Sequence, residues 1–136
     1  MSLPRGTGTI LVADDDAEVR DLTGRILKMA GYTPLEAADA PSTIERLRAH
    51  PEIALVLLDL RMPGSPSCGE TVGKLRRIRP GIPILVMTGF PERDTREDLG
   101  EAVIDDLLEK PFPPPELIHR IRRALGQDDG DAADGG

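Results

Sequence analysis

Two short stretches limit the fold more than any other feature. Residues 53–58 (IALVLL) and 82–87 (IPILVM) are apolar without alternation. A strand with one face in water alternates apolar and polar side chains, whereas a strand covered on both faces reads as an unbroken apolar run. Both runs are too short for a buried helix, so the chain must cover two faces of one sheet.

The remaining segments supply the cover. Residues 9–13 (TILVA) form another β-branched run. Residues 17–30 then carry Val19, Leu22, Ile26, Leu27 and Ala30 at helical spacing, with Asp16 placed to cap the start and Gly31 to stop the end. Residues 33–37 predict a strand containing Pro34, which has no amide to donate and therefore belongs at a sheet edge. Asp39 caps a second helix carrying Pro41 in its first turn and Ile44 and Leu47 on one face. A third helix is expected over 70–78 with Val72 and Leu75 inward, and a weakly marked fourth over 93–102. Residues 106–109 predict a short fifth strand, and 114–125 a closing helix with Leu117, Ile118, Ile121 and Leu125 in one stripe. The sum is an α/β fold of (βα)5 form, a doubly wound parallel sheet with helices on both faces.

Composition narrows the setting. Aromatics are 2% of the chain, so the core must be aliphatic. A net charge of −7 argues against direct nucleic-acid binding, which needs cations along the phosphates. Cys68 stands alone and cannot form an internal disulfide, which suits the cytoplasm. No apolar run approaches the ~18 residues of a membrane span, and residues 1–8 lack the apolar centre of a signal peptide. Residues 1–8 are expected to be a flexible N-terminus and 9–125 one domain. Residues 126–136 (GQDDGDAADGG) have no large apolar side chain to offset ordering entropy, and are expected to be a disordered tail or linker. The basic run Lys74, Arg76, Arg77 and Arg79 reads as a solvated helix face.

Chemistry collects at the strand ends. The first strand is followed by Asp14, Asp15 and Asp16, the third by Asp59, the fourth by Thr88 and the fifth by Lys110. Ligands of such sheets bind beyond the carboxyl ends of the strands. Two carboxylates about 4 Å apart repel by about 4 kcal/mol at an effective dielectric of 20, so the cluster needs a cation to stay ionised. Hard carboxylate oxygens suit Mg2+ (or Mn2+). A carboxylate is also a nucleophile toward phosphorus.

Asp14-Asp15, LLDLRMPG around Asp59, VMTG around Thr88 and EKPF around Lys110 together resemble the receiver domain of response regulators, over about residues 9–125. The resemblance implies a flavodoxin-like fold with strand order 2-1-3-4-5. The chemotaxis receiver is itself a standard example of that order, so the order comes with the resemblance. It implies Asp59 as phosphoacceptor, with Asp14, Asp15, Asp59 and the main-chain carbonyl of Arg61 around the metal. Thr88 would be the switch hydroxyl, Lys110 the partner of the phosphoryl group, and Lys110-Pro111 a cis bond. The implied partner is a sensor histidine kinase or a histidine phosphotransfer protein, with a kinase or output domain fused elsewhere in some relatives and no membrane contact.

Two departures stand out. Leu107 occupies a position where the family commonly has Tyr or Phe, and the loop after Met62-Pro63 is about two residues longer than usual. Leu107 motivates a second reading, an interaction module on the same fold with weakened or lost switching. A true enzyme is disfavoured: an Asp-nucleophile phosphatase would carry a second Asp where Arg61 stands, and no G-x-G-x-x-G follows the first strand.

Overall fold

A computed structural model of the chain describes residues 3–89 and 92–127. Its elements run β1 (Gly8–Ala13), α1 (Ala17–Met29), β2 (Tyr32–Ala37), α2 (Ala40–Ala49), β3 (Ile53–Asp59), α3 (Cys68–Ile78), β4 (Ile84–Thr88), α4 (Glu92–Leu99), β5 (Asp106–Glu109) and α5 (Pro114–Ala124). All strand pairs are parallel, in the order β2-β1-β3-β4-β5. The expected (βα)5 sheet is present, and Pro34 lies on the edge strand β2.

The unbroken apolar runs now have their reason. Successive side chains of a strand point to opposite faces. Leu11, Val56, Leu58, Ile84 and Val86 enter one core, together with Leu47, Val72 and Leu75 from α2 and α3. Ile10, Val12, Leu55, Leu57, Leu85 and Met87 enter the other, with Leu27, Leu117, Ile118 and Ile121 from α1 and α5. The large apolar residues of the central strands therefore alternate between the two cores.

Caps set several boundaries. The Asp16 side chain accepts from the amides of Glu18 and Val19, and Asp39 with Ser42 forms a reciprocal capping box. Gly31 follows α1 at φ 104°, a conformation open to glycine. Helix α3 starts at Cys68 rather than residue 70, because the Ser67 hydroxyl accepts from the Glu70 amide. Strand β4 starts at Ile84 rather than residue 82. Pro83 has no amide for the ladder, although its carbonyl still accepts from Val56. Helix α4 ends at Leu99, before Gly100 at φ 60°.

Two expectations change. Leu22 is 59% exposed on α1 and contributes nothing to the core. Part of the basic run is structural rather than solvated. Arg79 donates to the carbonyls of Leu47, His50 and Ile53, and Arg76 to those of Val103, Pro80 and Ile82. Lys74 and Arg77 are exposed. Near the two limits of the described residues, Gly6, Thr7 and Gln127 make contacts of their own. The Gly6 amide donates to Ala30, and the Gln127 side chain donates to the Thr7 carbonyl while accepting from the Tyr32 hydroxyl. The rest of the expected tail, 128–136, lies outside the described residues. No described helix is long and apolar enough to cross a membrane.

The difference between Arg79 and Arg77 is measurable. Arg79→Met leaves main-chain carbonyls without their donor and is expected to cost about 1–3 kcal/mol in urea unfolding. Arg77→Ala should stay within about 0.5 kcal/mol of the parent. Equal effects of the two substitutions would contradict this division.

Candidate functional site

Strand register brings the chemistry to one rim. Ala13 pairs with Leu58, Asp59 with Met87 and Thr88 with Glu109. The residues at and after these positions, Asp14, Asp59, Thr88 and Lys110, therefore emerge side by side. Carboxylate oxygens of Asp14, Asp15 and Asp59 all lie within 4.8 Å of one another. Asp14 is 1% exposed and Asp59 9%, while Asp15 faces solvent. The neighbouring Asp16 does different work, capping α1.

Lys110 reaches the cluster from β5. Its Nζ donates to Asp14 Oδ2 at 3.1 Å and to Asp59 Oδ1 at 3.2 Å. The Lys110-Pro111 bond is cis. One ammonium does not balance three carboxylates. Burial, opposed by Lys110 and reinforced by Asp14 and Asp15, pushes the Asp59 carboxyl up from 3.8 to about 6. Burial works against the Lys110 charge, but the facing Asp59 and Asp14 carboxylates outweigh it and hold its pKa above the usual lysine range.

The donor set fits a hard divalent cation: three clustered carboxylates of graded exposure, and an excess of negative charge that a dication would relieve. An open groove of about 460 Å3 leads to Asp59, lined among others by Asp15, Arg61, Met62, Ser65 and Cys68. The longer loop after Pro63 forms part of this approach. The Cys68 thiol is buried and pushed up to about 12 by that burial, with Asp98 and Asp59 adding to it, so it stays a neutral thiol.

Residues 10–122 match the response regulator receiver domain family. The chain belongs to the response regulator receiver domain family. It is 36% identical over 124 residues to the phosphate regulon transcriptional regulatory protein PhoB of Pseudomonas aeruginosa, covering 86% of this chain and 51% of that protein. It is 35% identical over 128 residues to the DNA-binding response regulator MtrA of Mycolicibacterium paratuberculosis, covering 92% of this chain and 54% of that one. The chain thus spans about half the length of the curated relatives it matches. Among solved structures it resembles a CheY-like receiver domain protein of Methanospirillum hungatei, with TM-score 0.81 and 27% identity over 90% of this chain and 96% of that one. A receiver protein of Sinorhizobium medicae gives 0.76 and 29%, over 88% and 95%.

The receiver site also contains contacts that the motifs do not announce. Thr88 Oγ1 lies 3.2 Å from Thr95 Oγ1 on α4, and both residues are almost fully buried. Next to this pair, a groove of about 580 Å3 lies between α4, β5 and α5, lined in part by Leu99, Leu107 and Phe112. Arg20 of α1 donates to the main-chain carbonyl of Asp14. Neither Thr95 nor Arg20 sits in a recognisable motif, and α4 is the helix whose sequence pattern is weakest.

The raised Asp59 pKa has a consequence for the cation-free domain. Between pH 3.8 and about 6 the folded protein holds a proton on Asp59 that the unfolded chain has begun to release. Stability therefore rises as pH falls through about 6, and the unfavourable contribution of the charged carboxylate is complete above it. Asp59→Asn should stabilise the cation-free domain by about 1–3 kcal/mol at pH 8, with the gain shrinking towards pH 5. Urea midpoints at both pH values, in chelator, test this; a gain that does not depend on pH would contradict it.

Proposed function

We propose that this receiver domain is the phosphoacceptor of a two-component phosphorelay. It takes a phosphoryl group onto Asp59 from a histidine kinase or phosphotransfer protein and switches an interaction surface in response. The observation that carries this reading is the placement of Asp59. It is a nearly buried carboxylate at the end of the central strand, 3.2 Å from an ammonium and crowded by two other carboxylates, with an open groove in front.

Each residue has a role in this reading. A carboxylate oxygen of Asp59 attacks the phosphorus of the donor, forming an O–P bond as the P–N bond to the donor imidazole breaks. Asp14, Asp15, Asp59 and the Arg61 main-chain carbonyl would hold Mg2+ (or Mn2+), which supplies charge neutralisation and polarises the phosphoryl oxygens when bound. Lys110 is already aimed at Asp59, where its ammonium would meet the incoming oxygens. Thr88 donates its hydroxyl to one of them. The chemistry is confined to the chain's own aspartate, with self-catalysed acceptance and hydrolysis and no separate substrate. The setting we assign is cytoplasmic. The relatives' printed names describe transcriptional and DNA-binding regulators, so an output unit of that kind is the partner we assign in the same polypeptide or assembly.

Incubation with acetyl phosphate and Mg2+ should add one phosphoryl group, read by intact mass. Asp59→Asn or chelator should abolish the addition, and Lys110→Ala should slow it by at least about tenfold, as expected for loss of a preorganised charge. Incorporation that survives Asp59→Asn would overturn the assignment.

Leu107 supports the second reading, a receiver-fold interaction module with weakened or lost switching, because a leucine has no ring or hydroxyl with which to follow Thr88. The Thr88–Thr95 pair favours switching through α4 instead. Capture of the Thr88 hydroxyl by a phosphoryl oxygen takes a partner from Thr95, a buried hydroxyl, and buried polar groups are costly when a partner is lost. Thr95→Val keeps the shape and removes this link. It should leave phosphoryl uptake in place and reduce the phosphorylation-dependent shifts of the α4 amides by more than half in NMR spectra. Full α4 shifts in this variant would exclude Thr95 as the link, and no α4 shifts in the parent would favour the module.

A further inference from the structure

We propose that Arg20 is a positioning residue for the cation site, acting through the peptide that joins Asp14 to Asp15. The inference rests on the metal reading given above and adds a residue to it. Arg20 Nη1 donates to the Asp14 carbonyl at 2.7 Å, and Nε donates to Glu36 Oε1 at 2.9 Å. The side chain is only 17% exposed. One planar guanidinium therefore joins α1, the end of β1 and the edge strand β2.

The surroundings explain why this clamp matters. Asp14 is held at nearly every polar atom. Its amide donates to the Ala37 carbonyl, Oδ1 accepts from the Asp16 amide, and Oδ2 accepts from Lys110. Arg20 holds the remaining carbonyl. That carbonyl belongs to the peptide plane on which Asp15 pivots, and Asp15 is the exposed member of the carboxylate cluster. Fixing the plane fixes the direction in which Asp15 leaves the main chain. A charge-assisted hydrogen bond from a rigid fork is well suited to this task.

A rival account gives Arg20 no such role. In that account the Arg20–Glu36 pair is only a surface ion pair, and with Glu36 47% exposed it contributes little to stability. Its one effect on a nearby dication would then be repulsion. The two accounts predict opposite signs. Removing a purely repulsive cation tightens Mg2+ binding, and neutralising Glu36 weakens it. Removing a positioning clamp weakens Mg2+ binding.

The test is calorimetric titration of the whole chain with MgCl2, repeated with Mn2+ by electron paramagnetic resonance. Arg20→Met should raise the dissociation constant by about tenfold, the scale on which residues supporting metal ligands act. Arg20→Lys, which keeps the charge and one donor, should recover part of the loss. Glu36→Gln, which leaves an acceptor for Nε, should shift the constant less than Arg20→Lys. An unchanged or tighter constant for Arg20→Met overturns the proposal. Should that variant not fold by circular dichroism, an Arg20→Lys constant equal to the parent's overturns it. The parent and Asp15→Asn serve as controls. If the parent binds neither cation, the metal reading itself fails. If the parent binds and Asp15→Asn does not, only the role of Arg20 is under test.

Discussion

The crowding of three carboxylates against one ammonium governs the rest of this molecule. Asp59 sits where the sheet buries it, and burial alone works against its charge. Lys110 offsets part of that cost from β5, and Asp14 and Asp15 add to it from β1. The metal-free rim thus holds unfavourable electrostatic energy that either a proton or a dication can relieve. This makes the rim a sensitive place, since any change of charge there acts at the point where the ends of β1, β3, β4 and β5 meet.

The sheet exists to hold that crowding in place. A carboxylate cluster on a mobile loop would spread until the repulsion faded. Here each member leaves a strand whose residues are packed in one of two cores, so the ends cannot drift apart without exposing Leu58, Val86 or Met87. Fully burying one such side chain is worth roughly 1.5–3 kcal/mol, and several are engaged at the rim. Packing on that scale is comparable with the repulsion of about 4 kcal/mol per close pair, which Lys110 also offsets. The same packing makes hydrogen bonds near the rim directional, because their donors and acceptors are carried by rigid elements.

Much of this was legible in the sequence. Period-two burial on both faces leaves an unbroken apolar run, so β1, β3 and β4 announced themselves, and the polar residue after each run marked the rim. Asp16 and Asp39 were readable as caps because their role depends only on local spacing. Contacts between distant segments were less legible. Arg76 and Arg79 looked like any charged helix face, since nothing local says that their guanidinium groups meet the carbonyls of other elements. Ser67, the cap that sets the start of α3, lay inside a Ser- and Pro-bearing loop beside Ser65, a residue of the same type. Thr95 and Arg20 carry their meaning only through partners at Thr88 and Asp14, which the fold brings close and no motif records. Gln127 falls in the same class: a polar residue in a Gly- and Asp-rich stretch, tied down by Tyr32 and Thr7.

Helix α4 combines a weak apolar pattern with a direct contact to the rim. Its sequence, ERDTREDL, offers Leu99 as its one large apolar residue and Thr95 as a buried one. It therefore has little apolar area to hold it against the sheet, whereas α1 and α5 are anchored by Leu27, Leu117, Ile118 and Ile121. On the α3 side it is seated closely: a Cβ added at Gly69 would lie 2.4 Å from the Leu99 carbonyl oxygen, so a glycine is required there for the two helices to approach. An element with a small hydrophobic contribution and a few specific contacts shifts at low cost when one contact changes. The Thr88–Thr95 hydroxyl pair is such a contact, connecting this lightly held helix directly to the strand end beside Asp59. With leucine at position 107, a change at the Thr88 hydroxyl need not pass through a ring to reach α4, because that hydroxyl already lies 3.2 Å from the Thr95 hydroxyl of this lightly packed helix.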